Sequence, residues 1–298
     1  MNGFIIVDKP KGLTSNDVCY KLRKRLNVNK CGHSGTLDPN TTGLLVVAVG
    51  QATKLMKFIN EHDKVYNATI SFGYNSKTLD FCGEITKEID MDFSMDELKN
   101  ALEKFKSFEL QIPPMVSAIK INGQKMYDLA RKGIELELPA REVKIYDYEI
   151  LSDLRSVDNH LEFDIRLHVS KGFYVRSFAR DLGEELGGCA ILKELRREKS
   201  GQFDIKNAVA FEDIKASDIK SIEDIFDFET VEVNDYIARL VLNGIELDER
   251  QTTIRKPFYV VNNGKKIAIY EPVEDNKYRT VLIFKWWGVI FENYLYKK

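Results

Sequence analysis

Strand-patterned runs and capped helices are interspersed along this chain without the regular strand–helix–strand cadence of a parallel α/β fold, and that arrangement constrains its architecture most. Phe4-Ile5-Ile6-Val7-Asp8 reads as a short buried strand stopped by the turn Lys9-Pro10-Lys11-Gly12. Thr14-Ser15-Asn16-Asp17 offers N-caps for a helix through Val18, Leu22 and Leu26, which carries the basic run Lys21–Arg25. Leu44–Val49 and Lys64–Gly73 read as strands, with a helix near Ala52–Ile59 between them. Ser94 and Glu97 stand in capping-box spacing ahead of a helix through Leu98, Leu102 and Phe105. Beyond it, Asn122-Gly123 is a hairpin-turn signal and Met126–Lys132 is helix-like. Strands follow at Arg141–Leu151 and Leu161–Val169, then a helix over Ser177–Leu186 closed by Gly187-Gly188. The antiparallel character of these runs gives an α+β class.

At 298 residues the chain exceeds a typical single core, so two domains are expected. A composition shift around Phe226–Val233 puts the boundary at 229/230, leaving a small β-rich module with runs at Phe258–Val261, Lys266–Tyr270 and Thr280–Lys285. No stretch approaches the eighteen apolar residues that span a bilayer, and the N-terminus has no export signal. Cys19, Cys31, Cys82 and Cys189 are scattered without a CxxC pair, which fits free thiols in a reducing cytoplasm. The net charge of −2 conceals a strong asymmetry. Residues 1–60 hold nine Lys/Arg against three Asp/Glu, while residues 204–249 hold four against thirteen. A basic face for phosphates is therefore compatible with a near-neutral total.

The chemistry-bearing stretch is Gly32-His33-Ser34-Gly35-Thr36-Leu37-Asp38-Pro39-Asn40-Thr41-Thr42-Gly43. It sets one carboxylate, Asp38, between glycine- and threonine-rich turns. Pro39 biases Asp38 towards an extended or turn conformation, and Gly32, Gly35 and Gly43 permit positive φ or close approach of a ligand. A P-loop needs Lys and Ser/Thr after its last glycine, whereas Gly43 is followed by Leu44-Leu45, so phosphate cradling of that kind is excluded. By itself an Asp-Pro pair among Gly and Thr is an ordinary turn. A held carboxylate in a loop nonetheless has the chemistry of a nucleophile or general base.

Several long motifs in one order carry a resemblance. They are Val7-Asp8-Lys9-Pro10-Lys11-Gly12 with Thr14-Ser15-Asn16-Asp17, the Asp38 loop, KVYNATISFG at 64–73, the Gln111–Gly133 segment and SKGFYVRSFARDLGEELGG at 170–188. With these the chain resembles the bacterial tRNA pseudouridine synthase B (TruB) family from Phe4 to about Leu195. The resemblance implies a pseudouridine-synthase fold with a mixed, largely antiparallel central sheet and a C-terminal module like the PUA RNA-binding fold. It implies isomerisation of uridine 55 in the TΨC loop of tRNA, with no redox change or hydrolysis and hence no cofactor or metal. Asp38 then matches the catalytic aspartate, acting either at C1′ as nucleophile or on the C2′ proton. Tyr66 matches the aromatic that stacks on the flipped base, and Arg176 the arginine that orients Asp38. Tyr174 and Leu195 match substrate-contacting positions, with Tyr174 expected on the same strand face as Arg176. His33 matches the ring that fills the space left by the extruded base.

The same resemblance makes residues 111–133 an RNA-clamping insertion whose Lys120, Lys125, Arg131 and Lys132, together with Lys9, contact the RNA backbone. It further implies a cytoplasmic monomer that acts on the T-arm stem-loop without a membrane or an obligatory protein partner. Two other readings fit the same residues: a guide-dependent or stand-alone synthase for another RNA, and a chaperone that folds tRNA.

Overall fold

The computed structural model describes residues 1–59, 62–117, 120–121, 124–125, 138–274 and 276–284. The elements that build the central body are β1 (Gly3–Lys9), α1 (Ser15–Arg25), β2 (Cys31–Ser34), β3 (Thr42–Val49), β4 (Lys64–Phe72), β5 (Tyr74–Ser76), β6 (Ile85–Glu88), α2 (Met95–Phe105), β7 (Ile145–Ile150), β8 (His160–Val169), α3 (Val175–Glu185), β9 (Ala190–Ser200) and β10 (Val209–Ala210). Seven of them form the main path of a mixed sheet in the order β7-β8-β4-β9-β3-β1-β10, with β2 off that path, paired antiparallel with β3. Only β9 with β3 and β1 with β10 run parallel. The sheet is therefore largely antiparallel, as an α+β chain requires.

Local chemistry explains most of the boundaries. Thr14 caps α1 in a reciprocal box with Asp17, and Ser94 does the same for α2 with Glu97. Each box satisfies two backbone donors that a helix start leaves open. The segment after β3 departs from expectation: Gly50–Phe58 is a 3₁₀ helix, whose tighter turn still buries Ala52, Leu55 and Met56. The run Ala190–Ser200 has no strand pattern in the sequence, yet it is β9 and lies in the middle of the sheet. Its alternation is obscured because the register slips at Leu192/Glu194 and again at Arg197/Lys199. Its charged residues are instead held in pairs, Lys193 with Glu162 at 2.6 Å and Arg196 with Asp8 at 2.8 Å.

The sheet has two halves that differ in what covers them. On β4, β8 and β9 one face buries Ile70, Phe72, Phe163 and Ile165 against Leu98, Leu102 and Phe105 of α2 and Phe178 and Leu182 of α3. On β1 and β3, Ile5, Val7, Leu45 and Val47 pack under Val18 and Leu22 of α1. The opposite face, with Phe4, Ile6, Leu44 and Val46, packs with Tyr259, Ile269 and Leu282 of a second, five-stranded sheet. That sheet is the expected β-rich C-terminal module, in the order Glu229–Glu232, Phe258–Asn262, Lys265–Pro272, Lys277–Ile283, Leu247–Asp248. The tail from Trp286 onward lies outside the described residues.

The halves of the central sheet join where β9 meets β3, through only Arg196 with Thr42 and Arg197 with Gly43. Gly43 has φ +98°, and a Cβ there would stand 2.3 Å from the carbonyl oxygen of Arg197. No other residue type fits this crossing. The Asp38 loop enters β3 at that point.

Candidate active site

The loop between β2 and β3 is tied to its surroundings by backbone contacts on every side. Ser15, at the start of α1, accepts from the Leu37 N–H at 2.9 Å and donates to the Leu37 carbonyl at 3.2 Å. The Gly12 N–H donates to the Pro39 carbonyl at 2.9 Å. The Thr41 N–H closes a turn on the Asp38 carbonyl at 3.1 Å. From beneath, Arg197 donates Nε to the Leu44 carbonyl at 2.7 Å and Nη2 to the carbonyls of Gly35 at 3.1 Å and Ser34 at 3.4 Å. Arg197 is 1% exposed, and no carboxylate pairs with it among the described residues. None of these contacts uses the Asp38 carboxylate, which is left for other work.

Of the expected glycines, Gly35 (φ +66°) and Gly43 adopt the left-handed region. Gly32 does not: it is a strand residue of β2 paired with Ala48.

Asp38 Oδ2 lies 3.0 Å from Arg176 Nη2, with the Asp38 side chain 41% exposed and that of Arg176 only 7%. The guanidinium is anchored behind the pair: Nη1 donates to the Thr78 carbonyl at 2.9 Å and Nη2 to the Val116 carbonyl at 3.0 Å. A planar fork that serves three acceptors has one orientation, so the carboxylate facing it is oriented too. The turn carrying Thr78 also touches the Asp38 loop directly, through the Asn40 amide donating to Cys82 Sγ at 2.8 Å.

Tyr174 and Arg176 are not on a strand. Tyr174 is the N-cap position of α3 and Arg176 the second helical residue, because the helix begins at Val175 rather than Ser177. Two residues apart on a helix do not share a face, yet both reach the same region, because Gln111 clamps the cap. Its amide exchanges two hydrogen bonds with the Tyr174 backbone, at 2.8 and 3.1 Å. Burial raises the Tyr174 phenol above its ordinary pKa, opposed by the charges of Arg141 and Arg176. Tyr66 on β4 is buried and pairs across the sheet with Leu167 and Arg197. It belongs to one apolar cluster with Val175, against which Leu195 and Phe173 pack. His33 on β2 has its Nδ1 buried without a partner among the described residues. Burial, then the neighbouring Arg197 charge, pushes this imidazole below its ordinary value, so it is neutral at pH 7.

Lys9 departs from expectation. It is wholly buried, and its ammonium donates to the carbonyls of Pro10, Leu13 and Pro39 at 2.9, 2.6 and 3.1 Å. A side chain enclosed in that way holds the loop and leaves no donor for a phosphate. Burial brings its pKa down to about 8, with Asp38 pulling it up and Arg197 down. Lys120 and Lys125 are backbone register partners in a short antiparallel strand pair, Lys120–Ile121 with Gln124–Lys125. Arg131 and Lys132 lie outside the described residues.

The sequence offers no cue to Arg197, and for Ser15 none beyond its place among the N-cap candidates. Buried donors to backbone carbonyls follow no local pattern. Charge separations of this kind become visible only when remote strands are brought together.

Residues 23–175 match the family model described as TruB family pseudouridylate synthase (N terminal domain). Residues 176–242 match the tRNA pseudouridylate synthase B C-terminal domain. A protein named tRNA pseudouridine synthase B from Acholeplasma laidlawii (strain PG-8A) is 42% identical, over 95% of this chain and 100% of its own length. One of the same name from Lactobacillus acidophilus is 40% identical, over 91% and 94%. In fold, the chain is similar to that of a Cbf5-Nop10-Gar1 complex, with a TM-score of 0.65 at 23% identity, covering 95% of this chain and 84% of that one. It is similar also to one in an H/ACA RNP bound to a substrate RNA containing 2′-deoxyuridine, with a TM-score of 0.64 at 22% identity and the same two coverages.

Proposed function

The chain belongs to the TruB family of pseudouridylate synthases, and from that premise we propose that the cleft at Asp38 is where it rearranges its substrate. The protein is a tRNA pseudouridine synthase, an isomerase that converts uridine 55 of tRNA to pseudouridine. The observation that carries the site is the Asp38–Arg176 pair at 3.0 Å, on a loop held independently of its carboxylate.

The reaction breaks the C1′–N1 bond, turns the base and joins C1′ to C5, with the C5 proton leaving and N1 gaining one. Asp38 serves it either by attacking C1′ or by taking the C2′ proton to give a glycal-type intermediate. Arg176 fixes the carboxylate in line for either route. Uridine in a folded loop must first leave its stack at a cost of a few kcal/mol, offset by contacts in the pocket. Tyr66 receives the base, with Leu195 and Tyr174 beside it, and the neutral ring of His33 takes the vacated stacking position. The substrate element is the T-arm stem-loop, bound by a single copy of the chain acting alone in the cytoplasm, with residues 1–229 carrying the chemistry and 230–298 an accessory RNA-binding module.

Incubating the purified protein with total tRNA, with nothing added, and mapping pseudouridine tests this directly. Modification at position 55 is the expected result; uridine left intact there overturns the assignment.

Arg176→Lys is expected to lower kcat by roughly 100-fold, the size of effect that a misplacement of about 1 Å can have, with KM changed far less. One ammonium cannot hold Asp38, the Thr78 carbonyl and the Val116 carbonyl together. A variant altered only in KM contradicts the orienting role. For the backbone contacts that remain once Lys9 is set aside, neutralising about four phosphates gives a log–log salt slope of roughly −3 to −4. Removing both Lys120 and Lys125 should flatten it by about 1 to 2, measured by stem-loop binding between 50 and 200 mM salt. An unchanged slope removes these lysines from the interface.

A further inference from the structure

The turn that carries Thr78 also carries an aromatic ring that the chemistry above does not use. Phe81 stands between Asp80 and Cys82 and is 44% exposed. The backbone beneath it is held firmly. Ser76 Oγ donates to the Asp80 carbonyl at 2.6 Å and accepts from the Asp80 N–H at 3.1 Å. The Asp80 carboxylate accepts the Cys82 N–H at 2.9 Å and the Thr78 hydroxyl. Leu79 is held at φ +61°, and Asp80 bridges to Leu192 of the central sheet.

The ring itself has a pedestal on one side. Phe81 meets Tyr74 edge to face at 5.3 Å between centroids, and Tyr74 lies 4.0 Å from the His160 ring. His160 is buried and its Nε2 is 3.0 Å from Glu88. Two contacts already described put this turn at the rim of the Asp38 cleft: Arg176 to the Thr78 carbonyl and Asn40 to Cys82. A single exposed apolar side chain ordinarily needs no explanation. This one is an aromatic ring in a locked turn, supported from behind, within one hydrogen bond of both the carboxylate's loop and its arginine.

We propose that Phe81 is a stacking platform for a nucleobase that flanks the target uridine. Extruding one base from a folded loop deprives its neighbours of a stacking partner, and an aromatic face at the cleft rim replaces it for any base, because every base has a π-face. The platform would hold the RNA loop in its opened form without reading sequence. This inference rests on Asp38 marking the active site.

The test is binding and turnover on a T-arm stem-loop. Phe81→Ala is expected to weaken binding by about 5- to 150-fold, the range for a lost base–aromatic stack, with kcat at saturating RNA changed much less. Phe81→Trp should bind like wild type. Phe81→Leu, which keeps an apolar contact with Tyr74 but has no π-face, should behave as Phe81→Ala. Wild-type affinity in Phe81→Leu overturns the proposal. A second measurement needs only the wild-type protein: stem-loops with an abasic site at each position flanking the target uridine. One position should lose affinity by the same factor, and in combination with Phe81→Ala lose no more. If no abasic position weakens binding, the platform does not exist. A wild-type protein that leaves the target uridine unmodified overturns the underlying site assignment instead.

Discussion

Asp38→Asn is expected to abolish pseudouridine formation on a T-arm stem-loop, lowering turnover by at least about 10²- to 10⁴-fold, the contribution of a positioned acid–base group, while leaving RNA affinity within a few-fold of wild type. The argument is geometric. Asn is isosteric, and its amide oxygen can still accept from Arg176 Nη2, now 3.0 Å from Asp38 Oδ2. The loop is held by Ser15, Gly12, Lys9 and Arg197 through backbone atoms alone, so its course does not depend on the carboxylate. What the variant lacks is the negative charge, without which the group is neither a nucleophile towards C1′ nor a base towards the C2′ proton. Retained binding with lost turnover also separates an enzyme from a protein whose task is to fold tRNA. Turnover like that of wild type in Asp38→Asn would sink the mechanism by either route.

The second large effect is structural. Arg197→Met should lower the melting temperature by on the order of 10 °C and reduce kcat even well below the transition. Methionine fills much the same volume but donates nothing, so the carbonyls of Ser34, Gly35 and Leu44 lose their donor in a place closed to water. An orphaned buried acceptor costs about 1–3 kcal/mol, and each kcal/mol is worth about 2–4 °C in a domain of this size. Because Ser34 and Gly35 lead directly into the Asp38 turn, loosening them also misplaces the carboxylate. Differential scanning calorimetry and kinetics at low temperature measure the two parts separately. A melting temperature within about 2 °C of wild type would show that the three carbonyls find other partners.

The burial of Lys9 bears on both expectations. A lysine in a Lys-Pro-Lys-Gly turn has the look of a surface cation, and next to an RNA site it invites assignment to a phosphate. Its burial instead places two cations, Lys9 and Arg197, beneath the Asp38 loop, each spending its donors on backbone carbonyls. The exposed positive charge of the N-terminal region is found elsewhere, on Lys21, Arg23 and Lys24 of α1, beside the exposed ring of Tyr20.

Elements governed by nearby residues were legible in advance. The strands β1, β3, β4 and β8 follow from apolar runs or alternation, α1 from its N-cap candidates and α2 from capping-box spacing, all within four residues. Asp38 stood out as a candidate because residue type and the Gly-Thr-Pro context travel together in one segment, and the motif resemblance supplied Arg176, which the structure places 3.0 Å away. β9 was not, since its pattern is broken by two slips and its charges are neutralised by Glu162 and Asp8, remote in sequence. The strand face assumed for Tyr174 and Arg176 also failed, because Gln111, sixty-three residues earlier, caps the helix that carries them.

Sequence by itself marked Asp38 as the candidate carboxylate, through the company of its motifs, and most of the short strands and helices, since periodicity, caps and turn residues act over a few positions. The tertiary structure alone decided which cations are buried to hold the carboxylate's loop, Lys9 and Arg197. Arg176 reaches Asp38 and Arg197 reaches Leu44 across separations of more than a hundred residues. Contacts of that span exist only once the two halves of the sheet close on Gly43, and burial then turns a lysine or an arginine from a surface charge into a support for the loop.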